Sequence, residues 1–189
     1  MIFYSYFSSQ GFANSFVIGS ETGKEAIIID PGIFDVDVLR LIEDNNLYLK
    51  HILITHSHDD HITGIKTILK IYDARIYSYR QVIAGFPAVK VRDYDKLELD
   101  SFTFEVLETP GHSGDSLTFK LDNLLFTGDT LLAGSIGYTV DAFSRGLIIS
   151  SLKEKIFSLT DDTYIFPGHG PPSKVGIERY LNMDINEEF

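Results

Sequence analysis

The stretch Thr55-His56-Ser57-His58-Asp59-Asp60-His61 holds three of the chain's six histidines within six residues, directly after the apolar run Ile52 to Ile54. In extended backbone, residues two apart point to the same side, so His56 and His58 can converge on one ion where the strand ends. Asp60 and His61 follow where a helix begins. The turning chain there can aim them at a second point a few ångströms away.

Outward from this cluster the same arrangement recurs. His112 stands in Thr109-Pro110-Gly111-His112 after the apolar run Phe102 to Leu107. Asp129 stands in Thr127-Gly128-Asp129 after Leu124 to Phe126, and His169 in Pro167-Gly168-His169 after Tyr164 to Phe166. Any one of these alone reads as a turn residue. Together they place each ligand type at a strand end, and strands lying side by side would gather those ends on one rim, with glycines allowing close approach. His51 precedes its strand and has no acidic or histidine neighbour in sequence, so it stays outside the set.

The remaining punctuation predicts alternating strands and helices. Strands are expected at Phe16 to Gly19, Ala26 to Ile29 before Asp30-Pro31-Gly32, Arg75 to Tyr79 and Leu117 to Leu121. Asp122-Asn123 offers a two-residue hairpin turn between Leu117 to Leu121 and the strand from Leu124. Helical spacing joins Val36, Leu39 and Ile42, then Ile62, Ile65, Ile68 and Leu69. Further helices are expected over Leu147 to Leu159 and over Val175 to Leu181, with Ser173 as a cap after Pro171-Pro172. The fold class is α/β (α+β), sheets covered by helices. With no repeat and no linker-like composition, 1–189 is expected to form one metallo-hydrolase domain.

Composition narrows the function. The chain has 189 residues, 44% hydrophobic, and no run near the roughly 18 apolar residues that span a membrane. No basic side chain precedes the apolar residues of the N-terminus, so export is not expected. Without cysteine there are no disulfides and no thiolate metal ligands, which fits a cytoplasmic protein. A formal charge of -11 and no Lys/Arg run longer than two residues argue against nucleic acid as a partner. A small-molecule substrate remains.

Five histidines and two aspartates exceed one tetrahedral site but suit two divalent ions sharing a carboxylate, for which Asp129 is the candidate. Imidazole with carboxylate fits zinc first, and iron or manganese as well. Two ions roughly 3.5–4 Å apart lower the pKa of a shared water, giving a hydroxide that can attack an ester-like carbonyl. Asp60 and Asp129 are the carboxylates of this catalytic centre. Asp30 and Asp59 are candidates to orient ligands from behind, or else simple turn and cap residues.

The sequence Thr55-His56-x-His58-x-Asp60-His61, followed by Gly111-His112, Thr127-Gly128-Asp129-Thr130 and Pro167-Gly168-His169-Gly170, resembles the metallo-β-lactamase fold. The resemblance runs from Asn14-Ser15-Phe16 to Glu178-Arg179-Tyr180-Leu181-Asn182. It is greatest to small glyoxalase II-like (hydroxyacylglutathione hydrolase-like) thioesterases. It implies a four-layer αβ/βα sandwich, one metal on His56, His58 and His112, a second on Asp60, His61 and His169, and Asp129 between them. It also selects Asp60 over Asp59, and a glutathione thioester as the substrate to test.

Two departures bear on substrate. Glyoxalase II enzymes carry an additional helical region that holds glutathione, and this chain ends 20 residues after His169. A basic residue commonly follows the loop glycine after the bridging aspartate, whereas Ile136-Gly137-Tyr138 puts tyrosine there, with Arg145 as the nearby cation. Ala133 to Gly146 is expected to be a mobile loop, with Tyr138 and Arg145 as substrate contacts. The competing functions are a persulfide dioxygenase-like enzyme with one iron on His56, His112 and Asp129, and a non-catalytic metal-binding module. Absence of cysteine disfavours a cysteine-containing zinc β-lactamase, and the charge disfavours a nuclease of the same fold.

Overall fold

A computed structural model describes residues 1–8, 11–22 and 24–186, and the chain forms two compact units. One comprises Met1–Val91 with Glu98–Thr103, the other Arg92–Leu97 with Phe104–Phe189.

The first unit is built on a six-stranded sheet, β1 (Ile2–Phe7), β2 (Asn14–Gly19), β3 (Glu25–Ile29), β4 (Tyr48–Leu53), β5 (Arg75–Ser78) and β6 (Val89–Lys90), in that order. β1, β2 and β3 pair antiparallel, while β3 to β6 run parallel. Ala26 to Ile29 are buried on both faces, which explains why they read as an unbroken apolar run instead of an alternation. Helices α1 (Val36–Asp44) and α3 (Ile65–Ile71) lay Val38, Ile42, Ile65 and Ile68 on Ile28, Ile52, Ile54 and Ile76. Asp35 caps α1 by accepting from the amides of Asp37 (3.0 Å) and Val38 (3.1 Å). The Tyr6 hydroxyl donates to the same carboxylate at 2.5 Å, and that bond pushes its pKa up to about 12.

The single helix expected from Ile62 to Leu69 is two, α2 (Asp59–Ile62) and α3. The chain breaks at Thr63-Gly64 because the Gly64 amide turns to donate to the carbonyl of Pro31 at 2.8 Å, a tertiary contact that overrides helical spacing.

The second unit is built on most of a sheet of β7 (Lys96–Leu99), β8 (Phe102–Glu108), β9 (Leu117–Leu121), β10 (Leu124–Gly128), β11 (Tyr164–Pro167) and β12 (Ser173–Lys174), of which residues 98–99 and 102–103 belong to the first unit. Its order is β12-β11-β10-β9-β8-β7. The two-residue turn at Asp122-Asn123 pairs Leu121 with Leu124, with Asp122 at φ +53°. β9 is antiparallel to β8 and to β10, and β10 is parallel to β11, so β8, β10 and β11 all run the same way. Ile148 of α4 (Ala142–Ser151) and Leu152 and Ile156 of the π-helical turn Leu152–Ile156 pack on Leu125, Ile165 and Val175.

This helix begins five residues before the expected Leu147, where Asp141 caps it by accepting from the Ser144 amide at 2.7 Å. Ser173 is not the cap of α5 (Val175–Leu181). It lies in β12 and donates to Glu178 Oε1 at 2.5 Å, leaving Lys174 at the cap position. β1 and β7 were not expected: their polar or aromatic alternation lacks the apolar runs that mark the other strands. Among the described residues no helix is long and apolar enough to cross a membrane.

Candidate metal centre

In the first unit the parallel strands β3 and β4 end at the same edge, and the residues just beyond them carry the chemistry. Asp30 follows β3, is buried, and sits at φ +49°, a left-handed conformation that costs a non-glycine residue free energy. Its carboxylate accepts from the Thr55 amide (2.8 Å), the Thr55 hydroxyl (2.5 Å) and His61 Nδ1 (3.0 Å). An ionised carboxylate only accepts, so the His61 proton is on Nδ1 and Nε2 keeps its lone pair. Thr55 Oγ1, having given its proton to Asp30, can accept from His56 Nδ1 at 3.1 Å, which leaves the His56 Nε2 lone pair facing His58 Nδ1 at 3.0 Å.

The three imidazoles are packed together, with ring centroids 4.6 Å (His56–His58) and 4.2 Å (His56–His61) apart. Asp30, His56 and His61 each offer an atom within 4.8 Å of the others, a donor group able to hold a cation. His58 is the cap residue of α2, in extended backbone, and Asp60 and His61 occupy its first turn, as expected. Asp60 Oδ2 lies 4.0 Å from His61 Nε2. Asp59 is exposed, and its backbone carbonyl accepts from Thr63. A side chain at position 32 would meet the Asp60 carbonyl at 1.8 Å, so glycine there is what lets the turn after β3 lie on the ligand helix.

In the second unit the co-directional strands β8, β10 and β11 bring His112, Asp129 and His169 to one sheet edge. Asp129 Oδ2 lies 3.6 Å from His112 Nε2 and 3.4 Å from His169 Nε2, so this carboxylate stands between two imidazoles. His112 Nδ1 is 2.9 Å from the carbonyl of Tyr138, and since a carbonyl only accepts, this histidine too carries its proton on Nδ1 and presents Nε2. A side chain on Gly137 would meet the Asp129 carbonyl at 1.7 Å and His112 Nδ1 at 3.2 Å.

Tyr138 therefore acts on the site through its backbone, while its side chain is 77% exposed. Arg145 is engaged elsewhere, donating to Asp184 Oδ1 and to the Asp184 carbonyl, both at 2.9 Å. Thr55 carries a role that spacing did not reveal. Its only sequence signal is its place between the β4 run and His56.

A buried carboxylate and a backbone carbonyl against Nδ1, with Nε2 of His61 and His112 turned toward carboxylates, are what metal-ligating histidines require. The donors are all nitrogen and oxygen, so the set suits a borderline first-row divalent ion.

These strand-end histidines and aspartates, on a helix-covered sheet in each unit, define a metal-binding α/β scaffold. The chain matches the family model described as metallo-beta-lactamase superfamily over residues 9–87 and 81–169, and it belongs to that superfamily, whose fold binds divalent metals. It is 31% identical to the hydroxyacylglutathione hydrolase GloC of Haemophilus influenzae, covering 87% of this chain and 89% of that protein. A hydroxyacylglutathione hydrolase of Francisella tularensis subsp. novicida is 38% identical over 77% of this chain, which spans 59% of that longer protein. The crystal structure of ETHE1 from Myxococcus xanthus superposes with a TM-score of 0.88 at 29% identity, covering 100% of this chain and 92% of that one. The fold class expected from the motifs is thus the one found.

Proposed function

We propose that the chain is a binuclear metal-dependent hydrolase that cleaves a thioester or related ester-like small molecule, a glutathione thioester being the first candidate. In this reading its two units act as the single metallo-hydrolase domain. His56, His58 and His112 hold one divalent ion, Asp60, His61 and His169 the other, and Asp129 is shared. The observation that carries the reading is that Nδ1 of His56, His61 and His112 each lies within hydrogen-bond distance of an oxygen, of Thr55, Asp30 and Tyr138 respectively, an arrangement that leaves Nε2 as the ligand atom. The likeness to hydroxyacylglutathione hydrolases supports the thioester.

When bound, such ions supply a hydroxide near neutral pH and polarise the carbonyl under attack. The chain's own part is to hold the protons and the geometry. Asp30 keeps the His61 proton away from the ligand nitrogen, Thr55 relays the same constraint to His56, and the Tyr138 carbonyl does so for His112. Asp60 and Asp129 supply the negative charge that offsets the cations. Zinc is the proposed metal, with iron and manganese fitting the same donors. Tyr138 and Arg145 are the proposed substrate contacts, Tyr138 by its exposure and Arg145 from its anchorage on Asp184.

The test is to measure bound metal per chain and to assay S-D-lactoylglutathione, simpler thioesters and glutathione persulfide, following thiol release and oxygen uptake. About two metals per chain with thiol release is expected. The likeness to ETHE1 favours a second reading, a mononuclear-iron persulfide dioxygenase on His56, His112 and Asp129. One iron per chain with oxygen uptake would select it over the hydrolase. A protein inert with every member of the panel would leave a non-catalytic metal-binding module.

A further inference from the structure

Glu178 of α5 is a carboxyl only 1% exposed, one turn along from Val175 in the apolar core of the second unit. A buried carboxyl is costly unless its oxygens are bonded, and these are. Oε2 accepts from the Gly134 amide at 2.9 Å and from Asn182 Nδ2 at 2.7 Å, while Oε1 accepts from the Ser173 hydroxyl. Asn182, buried just past α5, in turn accepts on Oδ1 from the amide of Asp184 at 3.1 Å, in α6 (Met183–Asn186).

Asp184 extends the same set of contacts. Its Oδ2 accepts from the Ile136 amide at 2.9 Å and its Oδ1 from Arg145, and the Met183 amide donates to the Gly134 carbonyl at 3.3 Å. Three of these bonds, to the amide and carbonyl of Gly134 and the amide of Ile136, fall on one hairpin, Leu131–Leu132 paired with Ser135–Ile136, whose turn has Gly134 at φ +84°. Two strands of two residues each have no stability of their own. Leu131 and Ile136 pack in the core, but apolar contact is non-directional, so the hydrogen bonds from Glu178, Met183 and Asp184 are what fix the hairpin's position along it.

The hairpin lies between two parts of the metal centre. It starts two residues after Asp129 and ends two before Tyr138, whose carbonyl is 2.9 Å from His112 Nδ1. Gly137, in between, donates its amide to the Thr130 carbonyl at 3.3 Å. A hydrogen bond of 2.9 Å is lost once its partners part by about 0.6 Å more, so a small slip of the hairpin is enough to release His112. Glu178 and Asp184 thus act on that ring from outside the set of ligands.

We infer, on the reading of His112 as a metal ligand, that Glu178 and Asp184 are positioning residues of the metal centre: by holding Gly134 and Ile136 they set the Tyr138 carbonyl that keeps the His112 proton on Nδ1. The two carboxyl oxygens of Asp184 serve different partners, which allows their roles to be separated. In Asp184→Asn the amide oxygen goes to the part-buried Ile136 amide, since the Arg145 side chain, 36% exposed, can turn to water. Asp184→Ala loses both partners.

Two measurements on the full chain, isotope-labelled in its histidines, test this: the ring nitrogen shifts of His112 at alkaline pH before metal is added, and zinc affinity by competition against a chelator. In the parent and in Asp184→Asn the shifts should place the proton on Nδ1. In Asp184→Ala and Glu178→Ala they should show a mixture of tautomers, with zinc affinity about tenfold weaker in the folded protein. Glu178→Gln should restore both, its amide oxygen serving Gly134 and Asn182 while the Ser173 hydroxyl rotates to accept. Parental shifts and affinity in Asp184→Ala would overturn the positioning role, even with a lowered melting temperature, which would make Asp184 a structural support alone. An equal loss in Asp184→Asn would overturn it too, tracing the effect to Arg145. The Asp184 pair, at a part-exposed site, decides the matter even where Glu178→Ala does not fold. Because the shifts are read without metal, a parent that binds no zinc would overturn the ligand reading of His112 and not the hold on its proton.

Discussion

Asp30→Asn isolates the role of one proton. Asparagine is nearly isosteric with aspartate and tolerates the left-handed backbone at φ +49°, so the turn after β3 should be retained. The native carboxylate accepts three hydrogen bonds, at 2.5, 2.8 and 3.0 Å. The amide keeps one acceptor oxygen for the Thr55 N–H, while its NH2 takes the place of Oδ2 and donates to the Thr55 hydroxyl, which rotates to accept. It turns an N–H toward His61 Nδ1, where donor would oppose donor. The imidazole resolves the conflict by moving its proton to Nε2, which removes the lone pair needed for a metal. Loss of a partner that fixes a ligand histidine typically weakens metal affinity about 10–100-fold, roughly 1.4–2.8 kcal/mol. The apo protein should lose less, about 1–2 kcal/mol, since the bond at Oδ1 is kept, the one to the Thr55 hydroxyl is reversed by rotation of that hydroxyl, and only the one to His61 is opposed.

The assay is competition for metal against a chelator of known affinity, alongside denaturant unfolding in excess chelator. Weakened metal binding with an apo midpoint near that of the parent is expected. Native metal affinity in Asp30→Asn would refute the tautomer argument. A collapse of apo stability with unchanged metal affinity in the folded fraction would reduce Asp30 to a structural prop.

Three further outcomes follow from particular contacts. Gly137→Ala places a methyl 1.7 Å from the Asp129 carbonyl, so metal retention and turnover should both fall sharply while far-ultraviolet circular dichroism stays the same; an active, metal-loaded variant would contradict the close approach. Asp35→Ala removes the α1 cap and orphans the Tyr6 hydroxyl, and should cost about 1–2 kcal/mol in urea unfolding, with a parental midpoint as the contrary result. For His51, burial lowers the folded pKa, so the stability of its neutral form is complete above the unfolded value of 6.5 and is lost as pH falls through it. His51→Gln should therefore flatten the decline in thermal stability below about pH 6.5, and identical pH profiles would exclude His51 as its source.

The sequence alone made the seven candidate ligands legible, because each stands just past an apolar strand and strand ends are local features. Strand direction, which gathers them on sheet edges, came from the pairing, β3 parallel to β4 in one sheet and β8 co-directional with β10 through the antiparallel β9 between them in the other. The tertiary structure decided what depends on residues far apart in the chain. Asp30 reaches Thr55 and His61 across 25 and 31 positions. Arg145 turns to Asp184, 39 residues on, and not outward as a lone loop cation. The carbonyl of Pro31 breaks the helix expected after His61. His51, set aside for lack of a partner in sequence, meets Asp100 because a bulge at Lys50 swings it across the sheet. Periodicity registers which face of a strand is apolar, and it carries no record of which distant backbone carbonyl, carboxylate or bulge that face will meet once the chain has closed.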